Sequence, residues 1–165
     1  MEQAAYISEN TLQLISLHDC LIKEVVVSGS DLILTFGHID VLADHPLNST
    51  GLSMCTGEAK LRFEHAEGIT SVLYDTSESA KQDDPDAEED SHPREVDMLE
   101  ILEDFEVLQH SEQLHPNGYV HRFEGIGSVK HNTDYAYVVI RCNRVTVEWN
   151  EFTDKAWFEG WAEDK

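Results

Sequence analysis

The chain has 165 residues, with 33 acids against 11 bases, a formal charge of −22 and a pI near 4.5. A surface so negative repels phosphate backbones and anionic lipid, which argues against nucleic-acid and membrane binding and favours a basic protein as partner. Hydrophobic residues make up 41% and fall in clustered runs, so the chain is read as a single globular domain over 1–165 that buries a core without a metal or disulfide.

Residues Met1 to Ser16 lead in, and Thr11 to Ile15 is predicted as a short edge strand. From Cys20 to Val41 the chain reads CLIKEVVVSGSDLILTFGHIDV, two β-branched runs around Ser28-Gly29-Ser30-Asp31, which predicts a β-hairpin. On its second arm Leu32, Leu34 and Phe36 share one parity while Ile39 and Val41 share the other. A period-2 strand cannot bury both sets on one face, so an extra residue is expected as a bulge at Gly37-His38.

Ala43 to Gly57 reads as loop, with Pro46, Asn48, Ser49 and Gly51 close together. Ala59, Leu61 and Phe63 then alternate against Lys60, Arg62 and Glu64, the pattern of a half-buried antiparallel strand. After Glu67-Gly68 a short strand is expected over Ile69 to Tyr74. Asp75 to Glu95 holds nine acids and two bases, interrupted only by two alanines among the apolar residues, and reads as a long mobile loop because it has nothing to bury.

Met98, Ile101, Leu102, Phe105 and Leu108 fit a helical stripe, while Phe105 and Val107 also fit a strand, so a short helix is expected to end near Glu103, with Pro93 in its first turn. A hairpin follows across Asn117-Gly118, then loop from Gly125 to Asp134. Tyr135 to Cys142 (YAYVVIRC) is the most apolar strand, turned by Asn143 into the alternating Val145, Val147 and Trp149. Asn150 is expected to cap a short helical turn, with Phe152, Ala156 and Trp157 folding back over the sheet edge. About eight strands and one or two short helices make a mainly β fold, an antiparallel sandwich or partly open barrel.

The three cysteines, Cys20, Cys55 and Cys142, are far apart and contain no CxxC, which suits buried thiols in a reducing compartment. The opening MEQAAYISEN has neither a basic nor an apolar leader region, so a cytoplasmic location is expected. Nine histidines are present, but no HExxH, HxH or Cys pair beside a His pair. His38-Ile39-Asp40 puts two ligand types on one strand face with His45 close by, yet these are read as loop and surface histidines, with no metal or cofactor. In His18-Asp19-Cys20 an extended chain would place His18 and Cys20 on one side. A cysteine nucleophile also needs a base in reach and an oxyanion pocket, and the triplet establishes neither, so His18 and Asp19 are read as satisfying backbone groups where the strand begins. No catalytic residue is assigned.

Partner-binding residues are expected in the acidic run at Asp83, Asp84, Asp86, Glu88, Glu89 and Asp90, and at the C-terminal aromatics Trp157 and Trp161, which suit either an interface or a packed tail. The stretch LHDCLIKEVVV…LILTF and the closing VTVEWNEFTDKAWFEG resemble a class of small bacterial proteins of the toxin-immunity type. That resemblance implies an acidic cytoplasmic protein that neutralises a cognate toxin by blocking its site, and it supplies no catalytic residue; the acidic insertion has no counterpart in it. Two further readings are a small-molecule or carbohydrate binder, or a hydrolase, using Trp157, Trp161, Tyr135 and Tyr137, and a purely structural oligomerising module.

Overall fold

A computed structural model describes residues 4–75, 92–116, 118–126 and 135–158. Among the described residues fourteen strands form, where about eight are predicted, because several short runs pair that carry no alternation of their own. They are β1 (Tyr6–Glu9), β2 (Ile15–Ser16), β3 (Cys20–Ser28), β4 (Asp31–Phe36), β5 (Asp40–Val41), β6 (Met54–Thr56), β7 (Ala59–Glu64) and β8 (Glu67–Asp75). After these come β9 (His92–Glu95), β10 (Glu106–His115), β11 (Gly118–Ile126), β12 (Tyr135–Cys142), β13 (Arg144–Trp149) and β14 (Phe152–Lys155). One α-helix, α1 (Met98–Leu102), and one 3-10 turn (Leu12–Leu14) complete the described elements.

Ten strands pair antiparallel in the order β1-β13-β7-β4-β3-β10-β11-β12-β8-β9. The seam between the two halves is thin: β3 and β10 meet only at Leu21 opposite Glu106 and Cys20 opposite Val107. The halves fold over that seam and face each other, so that Phe63 of β7 meets Phe123 of β11 edge-on at 5.9 Å between ring centroids. The result is an open antiparallel sandwich whose order ends on β1 and β9, not a closed barrel. Asn143 carries the chain between the layers, its N–H donating to the Glu64 carbonyl as β12 of one half gives way to β13 of the other. A second sheet, β14-β6-β5-β2, is built from the short strands.

Alternation explains the core. Ala59, Leu61 and Phe63, then Val145, Val147 and Trp149, are buried from one half, and Ala136, Val138, Ile140 and Phe123 from the other. The β3–β4 hairpin forms across Ser28 and Asp31 as predicted, with Gly29 at φ +62 supplying the left-handed backbone that a two-residue turn requires.

Several boundaries differ from the sequence reading. The parity break after Phe36 is not resolved by a bulge at Gly37-His38. The chain instead leaves the large sheet at Phe36 and enters the small one at Asp40, so Phe36 and Ile39 are both buried, while the register shift falls between Ile22 and Glu24 of β3. Thr11–Ile15 is a 3-10 turn running into β2 in place of one strand. Within the predicted loop 43–57, Met54–Thr56 pairs as β6. The run Asp75–Glu95 is not loop at its ends: β8 and β9 pair from Val72 opposite Glu95 to Asp75 opposite His92.

That pairing places Pro93 in a strand, and α1 starts later, where the Asp97 carboxylate accepts from the Leu99 N–H at 2.9 Å. The β10–β11 hairpin closes between paired His115 and Gly118; Asn117 lies outside the described residues. β11 runs on through Gly125 and Ile126, and residues 127–134 are outside the described set. Among the described residues no helix follows Asn150. Its side chain accepts from the Ala5 N–H, and Phe152–Lys155 pairs with β6 as β14.

Candidate functional site

Three places gather polar chemistry. The first is a cleft of about 400 Å³ where β2 and the 3-10 turn approach β10, lined by Leu12, Leu17, His18, Leu42, His110 and Glu112. At its rim, His18 holds the Asp19 carboxylate at 3.1 Å and lies 5.6 Å from the Trp157 ring. Asp19 has φ +64, so the chain is not extended there, and His18 and Cys20 do not share a side as an extended chain would have them: His18 is exposed and Cys20 is buried. The Asp19 carboxylate takes the His18 imidazole, a side chain in place of the expected backbone group.

The second place is a pair of histidines inside the sandwich. His121 on β11 is fully buried, with its Nδ1 3.0 Å from the Nε2 of His110 on β10. On its other side His121 Nε2 faces Glu112 Oε1 at 3.6 Å, beyond hydrogen-bond length, and neither of these two atoms has a partner. Burial pushes His110 down to about 3, helped by His121, and His121 down to about 4. Burial also raises the Glu112 carboxyl. Both imidazoles are therefore neutral near pH 7. If His110 donates to His121 Nδ1, the His121 proton sits on Nε2 and points at Glu112, which is the one tautomer pair that aims a donor at the carboxylate. Glu112 and His121 are a directly opposed cross-strand pair, and His110 is their diagonal neighbour.

The third place is where the chain changes sheets. Cys20 at the start of β3, His38 between β4 and β5, and Asp40 in β5 bring a thiol, an imidazole nitrogen and a carboxylate oxygen within 4.8 Å of one another. Cys20 Sγ is 3.7 Å from His38 Nε2. Cys20 is 0% exposed and Asp40 is 1% exposed, while His38 reaches partway to solvent. The Asp40 Oδ2 atom is buried without a hydrogen-bond partner. Hydrogen bonds at and beside these residues hold the backbone, Cys20 N–H to Leu17 O, Gly37 N–H to Leu21 O and Ile39 N–H to the Thr56 hydroxyl, while Asp40 pairs with Ser16 and Cys55 in the small sheet. Burial, then the neighbouring Asp40 and Cys55, hold the Cys20 thiol far above its ordinary range, and burial likewise raises Asp40. The enclosure of this sulfur keeps a substrate from reaching it.

The sequence reading expected no metal at His38 and Asp40 and paired them with His45. His45 instead turns away, with Nε2 on the Thr11 hydroxyl at 3.0 Å and its ring edge-on to Trp149. Cys20 takes its place.

Of the expected partner-binding residues, Asp83, Asp84, Asp86, Glu88, Glu89, Asp90 and Trp161 lie outside the described residues. Trp157 is 45% exposed and touches His18 and Phe158. Tyr135 is exposed, but Tyr137 carries the Arg122 guanidinium over its ring at 4.2 Å, on a face a stacked sugar would need. Among the described residues five basic side chains are held by local acids: Arg62 by Asp31, Arg122 by Glu124, Arg141 by Glu67, Arg144 by Glu64 and Glu9, and Lys23 by Glu58. No helix among the described residues is long and apolar enough to cross a membrane.

No protein-family model, curated protein or solved structure matches the chain.

Proposed function

We propose that this chain is a non-enzymatic binding protein of the immunity type, whose acidic surface captures a basic protein, with a toxin as the partner, and blocks it in the cytoplasm. The disposition of charge carries the reading. With −22 to distribute, and Arg62, Arg122, Arg141, Arg144 and Lys23 already occupied by neighbouring carboxylates, the field that reaches solvent is one of surplus acid. Such a field accelerates encounter with a cationic partner and repels nucleic acid. The sandwich gives that charge a rigid frame, and exposed Trp157, set against His18 at the cleft rim, is the kind of aromatic that anchors a protein interface.

The test is a binding series against inactivated basic toxin domains, including any encoded beside this gene, at low and at high salt. A saturable one-to-one complex whose association rate drops with salt, and which Trp157→Ala weakens, supports the reading. If no domain forms a saturable complex at low salt, the reading fails.

A further inference from the structure

We propose that Cys20, His38 and Asp40 form a binding site for one divalent transition-metal ion, and that zinc is the ion the donor set fits. The inference is independent of the partner-binding reading and rests on geometry. A tetrahedral zinc ion with sulfur at about 2.3 Å and nitrogen at about 2.0 Å holds those two atoms about 3.5 Å apart. Cys20 Sγ and His38 Nε2 already stand 3.7 Å apart, and the Asp40 oxygen completes a triangle with no side above 4.8 Å. Closing onto an ion needs only small rotations of side chains whose backbone is already pinned.

The second observation is the orphaned carboxylate. Asp40 Oδ2 is buried with no donor to satisfy it, a condition that costs free energy unless a cation or proton answers it. Lysine or arginine is the usual answer, but among the described residues the charged groups that act on Asp40 are His38 and Asp19, and the ligand atoms gathered beside it are a thiol and an imidazole nitrogen. One divalent ion would satisfy the whole cluster: two anionic ligands, thiolate and carboxylate, cancel its charge, and a neutral imidazole adds a third bond.

Donor type selects the ion. Magnesium and calcium prefer all-oxygen shells, whereas sulfur with imidazole and one carboxylate suits zinc. Three protein ligands leave a fourth position, and the partial exposure of His38 gives it a route to water. The location also suits a structural role. Cys20 belongs to the two-residue seam between the halves of the large sheet, and Asp40 to the second sheet, so an ion here would tie both sheets together through the sheet-changing loop.

The 165-residue chain, stripped with a chelator and titrated with cobalt(II), tests the site directly. The expected result is one equivalent bound, with thiolate-to-cobalt charge transfer in the near ultraviolet and the intense visible bands of tetrahedral cobalt, displaced by zinc. Zinc should raise the melting temperature of the stripped protein. His38→Gln, at a partly exposed position, and Asp40→Asn, close in shape to the original, should each weaken binding at least about tenfold, the loss that follows even from removing an outer-shell partner. Absence of the charge-transfer band, or cobalt binding unchanged in both variants, would overturn the proposal, since the first denies a thiolate ligand and the second places the ion elsewhere. Should Asp40→Asn fail to fold, His38→Gln decides alone.

Discussion

His110 and His121, on adjacent strands of one hairpin, stack with ring centroids 5.2 Å apart and share a hydrogen bond inside the sandwich. Their folded-state values, about 3 and about 4, lie below the ordinary 6.5. Below pH 6.5 the unfolded chain therefore binds protons that the folded chain refuses. Stability is full above that pH and is lost as pH falls toward the folded values, at about 1.4 kcal/mol per pH unit for each histidine. Glu112, raised by burial, works in the opposite direction and offsets part of the loss. Urea unfolding at about pH 7.5 and about pH 5.5 should show the drop, and His121→Phe should roughly halve its slope. An equal slope in the variant would mean that other groups carry it.

Phe63 is the contact on which the two layers close, edge-on to both Phe123 and His121 and fully buried. Phe63→Ala should cost about 3–5 kcal/mol, through lost transfer energy and a cavity that two paired sheets cannot collapse to fill. Phe63→Leu should cost far less. Denaturant midpoints with an unchanged m-value would confirm it; a loss within about 1 kcal/mol would show that the layers do not depend on this ring.

Gly29 and Gly118 both have positive φ, +62 and +143, but their surroundings differ. A methyl group at Gly29 would meet open space, so Gly29→Ala should cost only the backbone term, about 1 kcal/mol. A Cβ at Gly118 would lie 2.2 Å from the Cys142 carbonyl oxygen, so Gly118→Ala must push β12 away and should cost well over about 2 kcal/mol. Thermal unfolding of the two variants side by side measures the difference, and equal losses would contradict the close approach at Gly118.

What the sequence made legible follows from period. Residues 59–64 and 144–149 alternate cleanly and bury the expected face, and the apolar run 135–142 is a strand as expected. The short strands β2, β5, β6 and β14 were not legible, since two to four residues carry too little pattern and their pairing depends on partners distant in sequence. The Glu112–His121 opposition was not legible: a turn on Asn117-Gly118 would pair Pro116 with Tyr119 and set Glu112 opposite Phe123, whereas the strands close with His115 opposite Gly118. The Cys20–His38–Asp40 cluster was not legible either, because it depends on the chain changing sheets between residues 36 and 40 and on the φ of Asp19.

Thiol chemistry gives a last check on how these elements close over one another. Cys20 and Cys142 are buried, and burial raises both thiols, Cys142 to about 11 and Cys20 further still. Cys55, on β6 of the small sheet, is only partly covered, though burial raises it as well. Reaction with a thiol reagent requires both access and thiolate, so the metal-free native protein should label slowly at Cys55 alone, and denaturant should release all three cysteines. Mass spectrometry of timed samples reads the order. Early labelling of Cys142 would mean that β12 and β13 open at Asn143 without global unfolding, and early labelling of Cys20 that the two-residue seam between β3 and β10 opens first.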